Sequence, residues 1–342
     1  MKHYNIPVFI PHLGCPHDCV FCNQRKITGF EDTLDYEGVK TYIESYLASF
    51  EEKAHIEIAF FGGSFTGIPS DLQEAYLALA YTYVKSGQVD GIRLSTRPDY
   101  INQEVLDRLL KYGVTMVELG VQSMDDRVLV DSHRGYKPDR VLEAAQMIRA
   151  SGLGLGLQMM IGLPGDSLAK SLETAKTLIA LKADCVRIYP TLVIEHTGLA
   201  DLFEAGLYDP LTLDQAVTWV KAIYPLFLQA GIEVIRVGLQ DTEDLEAACL
   251  AGPYHPSFKH LVISSLILDQ IKACLGSVTC KRMTLYCHPK QVSNLVGQKR
   301  SNLLDLEDRY QIKKIKVYPK EGVLNQVEIH IDDQVVLCPL LV

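Results

Sequence analysis

Short β-branched runs alternate with longer segments of helical period along most of this chain, and that rhythm limits the fold more than any single residue does. Strand-like runs lie at IPVFI (6–10), IEIAFF (56–61), GIRLS (91–95), VTMVELG (114–120), LGLGLQMMI (153–161) and DCVRIYP (184–190). Between them, segments such as DYEGVKTYIESYLASF, EVLDRLLKYG and PDRVLEAAQMIRASG repeat apolar residues at helical spacing. A helix that returns the chain to the next parallel strand is the economical connection, so six such units predict an α/β fold: a partial (β/α)6 TIM-like barrel. A further helix, LTLDQAVTWVKAIYPLFLQAG, and a strand, IEVIRVG, follow. Beyond about residue 254 the pattern changes to a helix and strands around 278–287, 312–318, 326–331 and 334–338, which predicts a small C-terminal α+β domain. The expected division is residues 1–250 for the barrel and 251–342 for the appendage. The 342 residues, 48% hydrophobic, are enough to bury a sizeable core.

Composition excludes several classes. Nowhere do about 18 apolar residues run together without charge. The start, MKHYNIPVFIPH, lacks the apolar stretch and small-residue cleavage site of a secretory leader. The expectation is a cytoplasmic protein with no membrane partner. A net charge of −9 repels polyanions on average, but residues 281–320 hold ten Lys or Arg against three acids, a local charge of +7. That segment is either a solvated face of the small domain or a phosphate-binding patch that could hold tRNA. Nine cysteines, an odd number, argue against a disulfide framework.

Three of the nine crowd into CPHDCVFC, residues 15–22, directly after the first strand. In barrels of this type the chemistry sits on the loops at the C-terminal strand ends. With three residues and then two between them, Cys15, Cys19 and Cys22 can ligate three corners of an iron–sulfur cube and leave the fourth iron open. Zinc is the competing occupant, with His12 or His17 as a fourth ligand. Cys185, Cys249, Cys274, Cys280, Cys287 and Cys338 have no short ligand spacing and read as small hydrophobes. Two other stretches carry local signals. GGS at 62–64 exposes backbone carbonyls because its glycines have no side chains. Strand alternation puts Glu118 and Gln122 on one face of the fourth strand, and Gln158 and Met160 on one face of the fifth. A carboxylate inside TMVELGV needs a partner, since burying a lone charge is costly.

CPHDCVFC resembles the Cys-x3-Cys-x-aromatic-Cys motif of the radical S-adenosylmethionine (SAM) enzymes, with Phe21 at the aromatic position. The likeness continues in order through FFGGSFTGIP (60–69), LSTRPDYI (94–101), VELGVQSMDDRVL (117–129), HRGY (133–136) on the helix after the fourth strand, and LQMMIGLPGDS (157–167). It covers about residues 5–240, and YPTLVIEHTGLADLFEAGLY is similar to the branch holding the Elongator catalytic subunit and the oxygen-independent coproporphyrinogen oxidases. The resemblance implies a 4Fe-4S cluster on Cys15, Cys19 and Cys22, with SAM chelating the open iron. It implies that Gly62, Gly63 and Ser64 meet the SAM amino group and that Glu118 and Gln122 face the cluster and SAM. Arg134 would pair with the SAM carboxylate, Gln158 with the ribose hydroxyls, and Met160 would pack on adenine, with Phe21 and Ser95 also at the cofactor. Ser64 departs from the acid or threonine usual in the family. The implied reaction takes one electron from a low-potential donor such as flavodoxin or ferredoxin, cleaves SAM to a 5′-deoxyadenosyl radical, and abstracts hydrogen from the substrate under anaerobic conditions.

Beyond the SAM site the inward-facing candidates are Arg97, Arg187, Tyr189 and Arg236, with Glu195, His196 and Asp241 on loops at the mouth. Glu118, Glu195 and Asp241 are the candidate catalytic carboxylates. A guanine-like base offers N–H donors that Glu195 or Asp241 could accept. Length, acidic charge and resemblance together lead to the expectation of a small nucleobase-like substrate, specifically a queuine lyase that releases 7-aminomethyl-7-deazaguanine. One alternative is an Elongator-like tRNA-modifying enzyme, although the expected length leaves no room for that subunit's acetyltransferase domain. The other is a coproporphyrinogen-oxidase-like enzyme or haem carrier.

Overall fold

Alternating residues in the apolar runs can satisfy two different faces, and the computed structural model shows both. It describes residues 2–10, 19–23, 36–50, 54–278 and 282–341. The first elements are β1 (His3–Ile10), α1 (Tyr36–Ser49), β2 (His55–Gly62), α2 (Ser70–Lys85), β3 (Gly91–Thr96) and α3 (Gln103–Lys111). Next come β4 (Val114–Gln122), α4 (Asp126–Asp131), α5 (Pro138–Ala150), β5 (Gly154–Ile161), α6 (Leu168–Ala180) and β6 (Cys185–Pro190). A short β7 (Val193–Ile194), α7 (Gly198–Glu204), α8 (Leu213–Gln229), β8 (Glu233–Val237), α9 (Glu243–Ala248) and β9 (Cys249–Ala251) follow. β8 joins the six predicted strands, giving a seven-stranded sheet in the order β1-β2-β3-β4-β5-β6-β8. All its pairings are parallel, and among the described residues β1 and β8 are its edges, so the curled sheet is a partial TIM barrel.

One face of each strand is apolar. Ile6 and Val8 of β1, Ile58 and Phe60 of β2, Val117 and Leu119 of β4, and Leu155 and Leu157 of β5 are essentially inaccessible to solvent. Fully burying such a side chain stabilises the fold by about 1.5–3 kcal/mol. The opposite face is polar, carrying Glu57, Arg93, Glu118 and Arg187. Helices entered from strand ends are capped by short polar side chains. Asn102, Asp125, Ser167, Thr197 and Thr242 accept hydrogen bonds from the amides of Val105, Val128, Lys170, Ala200 and Leu245. Each cap is worth about 1 kcal/mol and fixes where the loop above it ends.

The chain divides into two compact units, Met1–Thr212 with Ile232–Tyr254, and Leu213–Gly231 with His255–Val342. The second unit contains α8, α10 (Phe258–Leu275), β10 (Met283–Cys287), α11 (Val292–Val296), α12 (Ser301–Arg309), β11 (Lys316–Pro319), β12 (Gln326–Ile331) and β13 (Gln334–Pro339). Its strands form a sheet in the order β11-β10-β12-β13, with β10 and β11 parallel and the other pairs antiparallel. These units differ from the expected ranges 1–250 and 251–342: the second resumes after Tyr254 and also takes in α8. The reason is packing, since α8 lies on α10 and Lys221 Nζ reaches Ser265 Oγ at 3.0 Å. Among the described residues no helix is long and apolar enough to cross a membrane.

Candidate active site

The C-terminal ends of β2 to β5 surround a cavity of about 110 Å³. Cys19, Phe21 and Cys22 line it from the loop after β1, Gly62, Gly63 and Ser64 from the turn after β2, and Ser95, Gln122, Arg134 and Gln158 from the strands and connections beyond. With Arg97, which also lines it, eleven of the residues singled out in the sequence meet at one place. Cys15, His12 and His17 lie outside the described residues.

Backbone conformation builds this floor. Gly62 has φ +93°, and a Cβ there would stand 3.0 Å from the Ile10 carbonyl oxygen. That oxygen accepts the Gly63 N–H at 3.0 Å, so the turn is held against the end of β1. At the end of β4, Gln122 has φ 66° in a γ-turn closed by the Ser123 N–H to the Val121 carbonyl at 2.9 Å. A non-glycine γ-turn of this hand is rare and costs about 1–3 kcal/mol. The Gln122 side chain is buried, and its Oε1 has no hydrogen-bond partner among the described residues. An unpartnered buried acceptor beside a cavity is a place for a ligand donor.

Cys19 is buried between two guanidinium groups. Arg134 Nη1 donates to its Sγ at 3.2 Å and Arg97 Nη1 at 3.6 Å. Arg97 is held by Asp99 through two bonds of 2.9 and 3.0 Å and donates to the Arg134 carbonyl. Arg134 donates to the Gly120 carbonyl at 2.6 Å and to the Tyr136 hydroxyl at 2.8 and 3.0 Å. Burial works against its charge, but the Tyr136 and Cys19 contacts outweigh burial and keep the guanidinium firmly protonated. Of its five N–H donors, one is left for a ligand among these contacts. HRGY is not on a helix as expected. α4 ends at Asp131, and Arg134 sits in the connection before α5, where the chain can turn its side chain back over β4.

Glu118 does not line the cavity. It lies one layer below, 1% exposed, where Arg187 Nε and Nη2 donate to its carboxylate at 2.5 and 3.0 Å. Gln158 Nε2 donates to Glu118 at 3.3 Å and to Ser95 Oγ at 3.2 Å, so the buried carboxylate orients a cavity residue. Gly156 makes this possible, because a Cβ there would lie 2.7 Å from Glu118 Cγ. Met160 is on the predicted face of β5 but is not among the lining residues. Neither are Glu195 and Asp241. Glu195 stands in the turn after β7, where its N–H donates to the Ala248 carbonyl at 2.9 Å, and Asp241 is exposed and accepts from the Tyr254 hydroxyl. Thr96 and Gly120 line the cavity and were not singled out, although Gly120 falls between Glu118 and Gln122 on the same strand face. Arg97, expected near the substrate, is instead a cavity residue against Cys19.

Comparison with known proteins agrees with this arrangement. A model of the radical SAM superfamily matches residues 9–178, and a model of the radical SAM C-terminal domain matches residues 183–268. The chain is 28% identical over 261 residues to Elongator complex protein 3 of Saccharomyces cerevisiae, covering 63% of this chain and 47% of that protein. It is 26% identical over 261 residues to the tRNA uridine(34) acetyltransferase of Methanocaldococcus jannaschii, covering 64% and 48%. The chain thus spans about half the length of these curated relatives. The solved structure of Methanocaldococcus infernus Elp3 with an N-terminal deletion shares the fold, with a TM-score of 0.61 and 21% identity over 78% of this chain and 62% of that one. With its cysteine loop, glycine turn and strand-end cavity in one parallel half-barrel, the chain belongs to the radical SAM superfamily and is a radical SAM enzyme, with a 4Fe-4S cluster and SAM as its cofactors.

Proposed function

We propose that this enzyme acts on a nucleobase in tRNA, in the manner of the Elongator catalytic subunit, rather than on free queuine. The observation that carries the reading is the likeness, through most of the barrel, to relatives named as Elongator complex protein 3 and tRNA uridine(34) acetyltransferase. A second feature supports it. Arg282, Lys290, Lys299, Lys313, Lys314 and Lys316 are exposed on the second unit, and among the described residues none has a carboxylate partner. Six such cations can contact phosphates in a salt-dependent way, against the chain's net charge of −9. The queuine reading relied on Glu195 and Asp241 as base-reading carboxylates, and neither lines the cavity. No lyase is named among the relatives described above.

The donor set fits the cofactors. Cys19 and Cys22, together with Cys15, would hold the cluster, and the two guanidinium groups at Cys19 would stabilise its thiolate. The Gln122 Oε1 and the Gly62–Gly63 backbone would accept from the SAM ammonium, the remaining Arg134 N–H would meet its carboxylate, and Gln158 and Ser95 would meet the ribose. When bound, cluster and SAM supply one-electron reductive cleavage to a 5′-deoxyadenosyl radical. The chain orients the sulfonium and keeps water out.

The test is anaerobic incubation of cluster-loaded protein with SAM, a low-potential reductant, and either bulk tRNA or queuine. The expected result is salt-dependent tRNA binding, 5′-deoxyadenosine formation that rises with tRNA, and a new modified nucleoside by mass spectrometry. Consumption of queuine with no response to tRNA would replace this reading with the lyase.

A further inference from the structure

β1 and β2 each begin with a histidine, and in the parallel pair His3 is the register partner of His55 while Asn5 is that of Glu57. The His3 and His55 rings meet edge to face with centroids 4.9 Å apart, and His3 Nε2 lies 2.8 Å from Glu57 Oε2. One ligating atom from each of His3, His55 and Glu57 falls within 4.8 Å of the other two. We propose that these three residues form a divalent metal site, suited to Zn²⁺, at the N-terminal end of the barrel strands, the end away from the cavity.

The donor set is right for such an ion. Two imidazoles and one carboxylate suit a borderline-soft dication in tetrahedral geometry, with water in the fourth position. The supporting contacts are also present. Asp90 Oδ2 lies 3.6 Å from His55 Nδ1 and is itself fixed by the Ile56 N–H at 2.8 Å. A carboxylate behind one imidazole nitrogen presents the other to a metal, an arrangement that orients metal-bound histidines and raises their basicity. Thr115 Oγ1 lies 2.9 Å from the Ile92 carbonyl oxygen and 3.2 Å from Glu57 Oε1, so its single proton is shared between the backbone and the carboxylate. The side chains of His3 and His55 are 46% and 39% exposed, against 7% for Glu57, so an ion can enter from solvent and the imidazoles can close on it.

Arg93 opposes a cation, with Nε 3.2 Å from Glu57 Oε2. Its charge is shared with Glu118 at 3.6 Å. In the ion-pair network of these residues, three carboxylates, Glu57, Asp90 and Glu118, stand against two guanidinium groups, Arg93 and Arg187, so these five groups together carry one negative charge. The site would matter to the enzyme because, among the described residues, β1 is an edge strand paired only with β2, and in sequence β1 is followed by the cysteine motif. A metal joining the first residues of both strands would stop that edge from fraying.

The experiment uses full-length protein with its cluster reconstituted. It is exposed to zinc sulfate and desalted, and zinc and iron are then measured together by elemental analysis, alongside thermal unfolding with and without zinc. Wild type should retain zinc in a 1:1 ratio to chain and melt at a higher temperature with it. His3→Gln and His55→Gln, both at exposed positions, should lose zinc at unchanged iron content, and Asp90→Asn should weaken zinc binding by about 10-fold. Equal zinc in wild type and His55→Gln, or no zinc retained by wild type, overturns the proposal. In that case the short His3–Glu57 distance is only an ordinary hydrogen bond.

Discussion

Replacing Arg187 by methionine would leave the Glu118 carboxylate, 1% exposed, without its two-pronged partner. Breaking a buried ion pair from one side costs about 3–5 kcal/mol, because the remaining charge keeps its desolvation penalty. Arg93 stays 3.6 Å from Glu118 and offsets part of that, which puts the expected loss near the lower end, about 3 kcal/mol. In a urea titration followed by far-UV circular dichroism, that loss lowers the barrel's midpoint by about 1 M at a slope of about 3 kcal/mol/M. Trp219, the chain's single tryptophan, lies on α8 in the second unit, so its emission is a probe placed in that unit. Glu118→Leu combined with Arg187→Met removes both charges and leaves Arg93 with Glu57 at 3.2 Å. That double variant should recover to within about 1 kcal/mol of wild type, since apolar replacements of a buried pair are often neutral. A single variant within about 0.5 kcal/mol of wild type, or a double variant no better than the single, would refute the reasoning.

Arg134→Ala should weaken SAM binding in equilibrium dialysis by about 2 kcal/mol, roughly 30-fold, and lysine should not rescue it because its single ammonium does not reproduce the fork to Gly120, Tyr136 and Cys19; unchanged affinity would remove Arg134 from the SAM site. Gly156→Ala places a Cβ 2.7 Å from Glu118 Cγ and 3.2 Å from Cys185 Sγ, so it should cost about 1–3 kcal/mol in the same urea titration. A stability equal to wild type there would mean that the lumen gives way more easily than its packing implies. Burial raises the pKa of Asp125, but the Val128 amide and Lys170 outweigh it and hold the carboxyl below its usual value. Its contribution is therefore full above about pH 4 and is lost as pH falls through the lowered folded value. Melting curves of wild type and Asp125→Ala should differ at neutral pH and converge in acid.

Much of the barrel was legible because its signals are local. Period-two alternation located the strands, and cysteine spacing with strand order located the mouth. What stayed hidden was set by pairing across distance. Glu118 sits on the expected face of β4, yet its partner is chosen by Arg187 two strands away and by the absence of a side chain at Gly156. Arg134 occupies the predicted neighbourhood, but α4 stops three residues earlier than the helical reading required. Thr96 and Gly120 carry no chemical signal of their own and enter the cavity wall only through register. α8 has the period of a barrel helix, and only its packing on α10 assigns it to the second unit.

Among the described residues β1 and β8 are paired on one side only, and this has a consequence for the sheet itself. A closed ring of strands has no edge to protect. A sheet that stays open leaves at each border a row of backbone N–H and C=O groups that another strand could join. The side chains and loops along those two borders therefore serve to keep the sheet at seven strands, a task that a closed barrel does not set them.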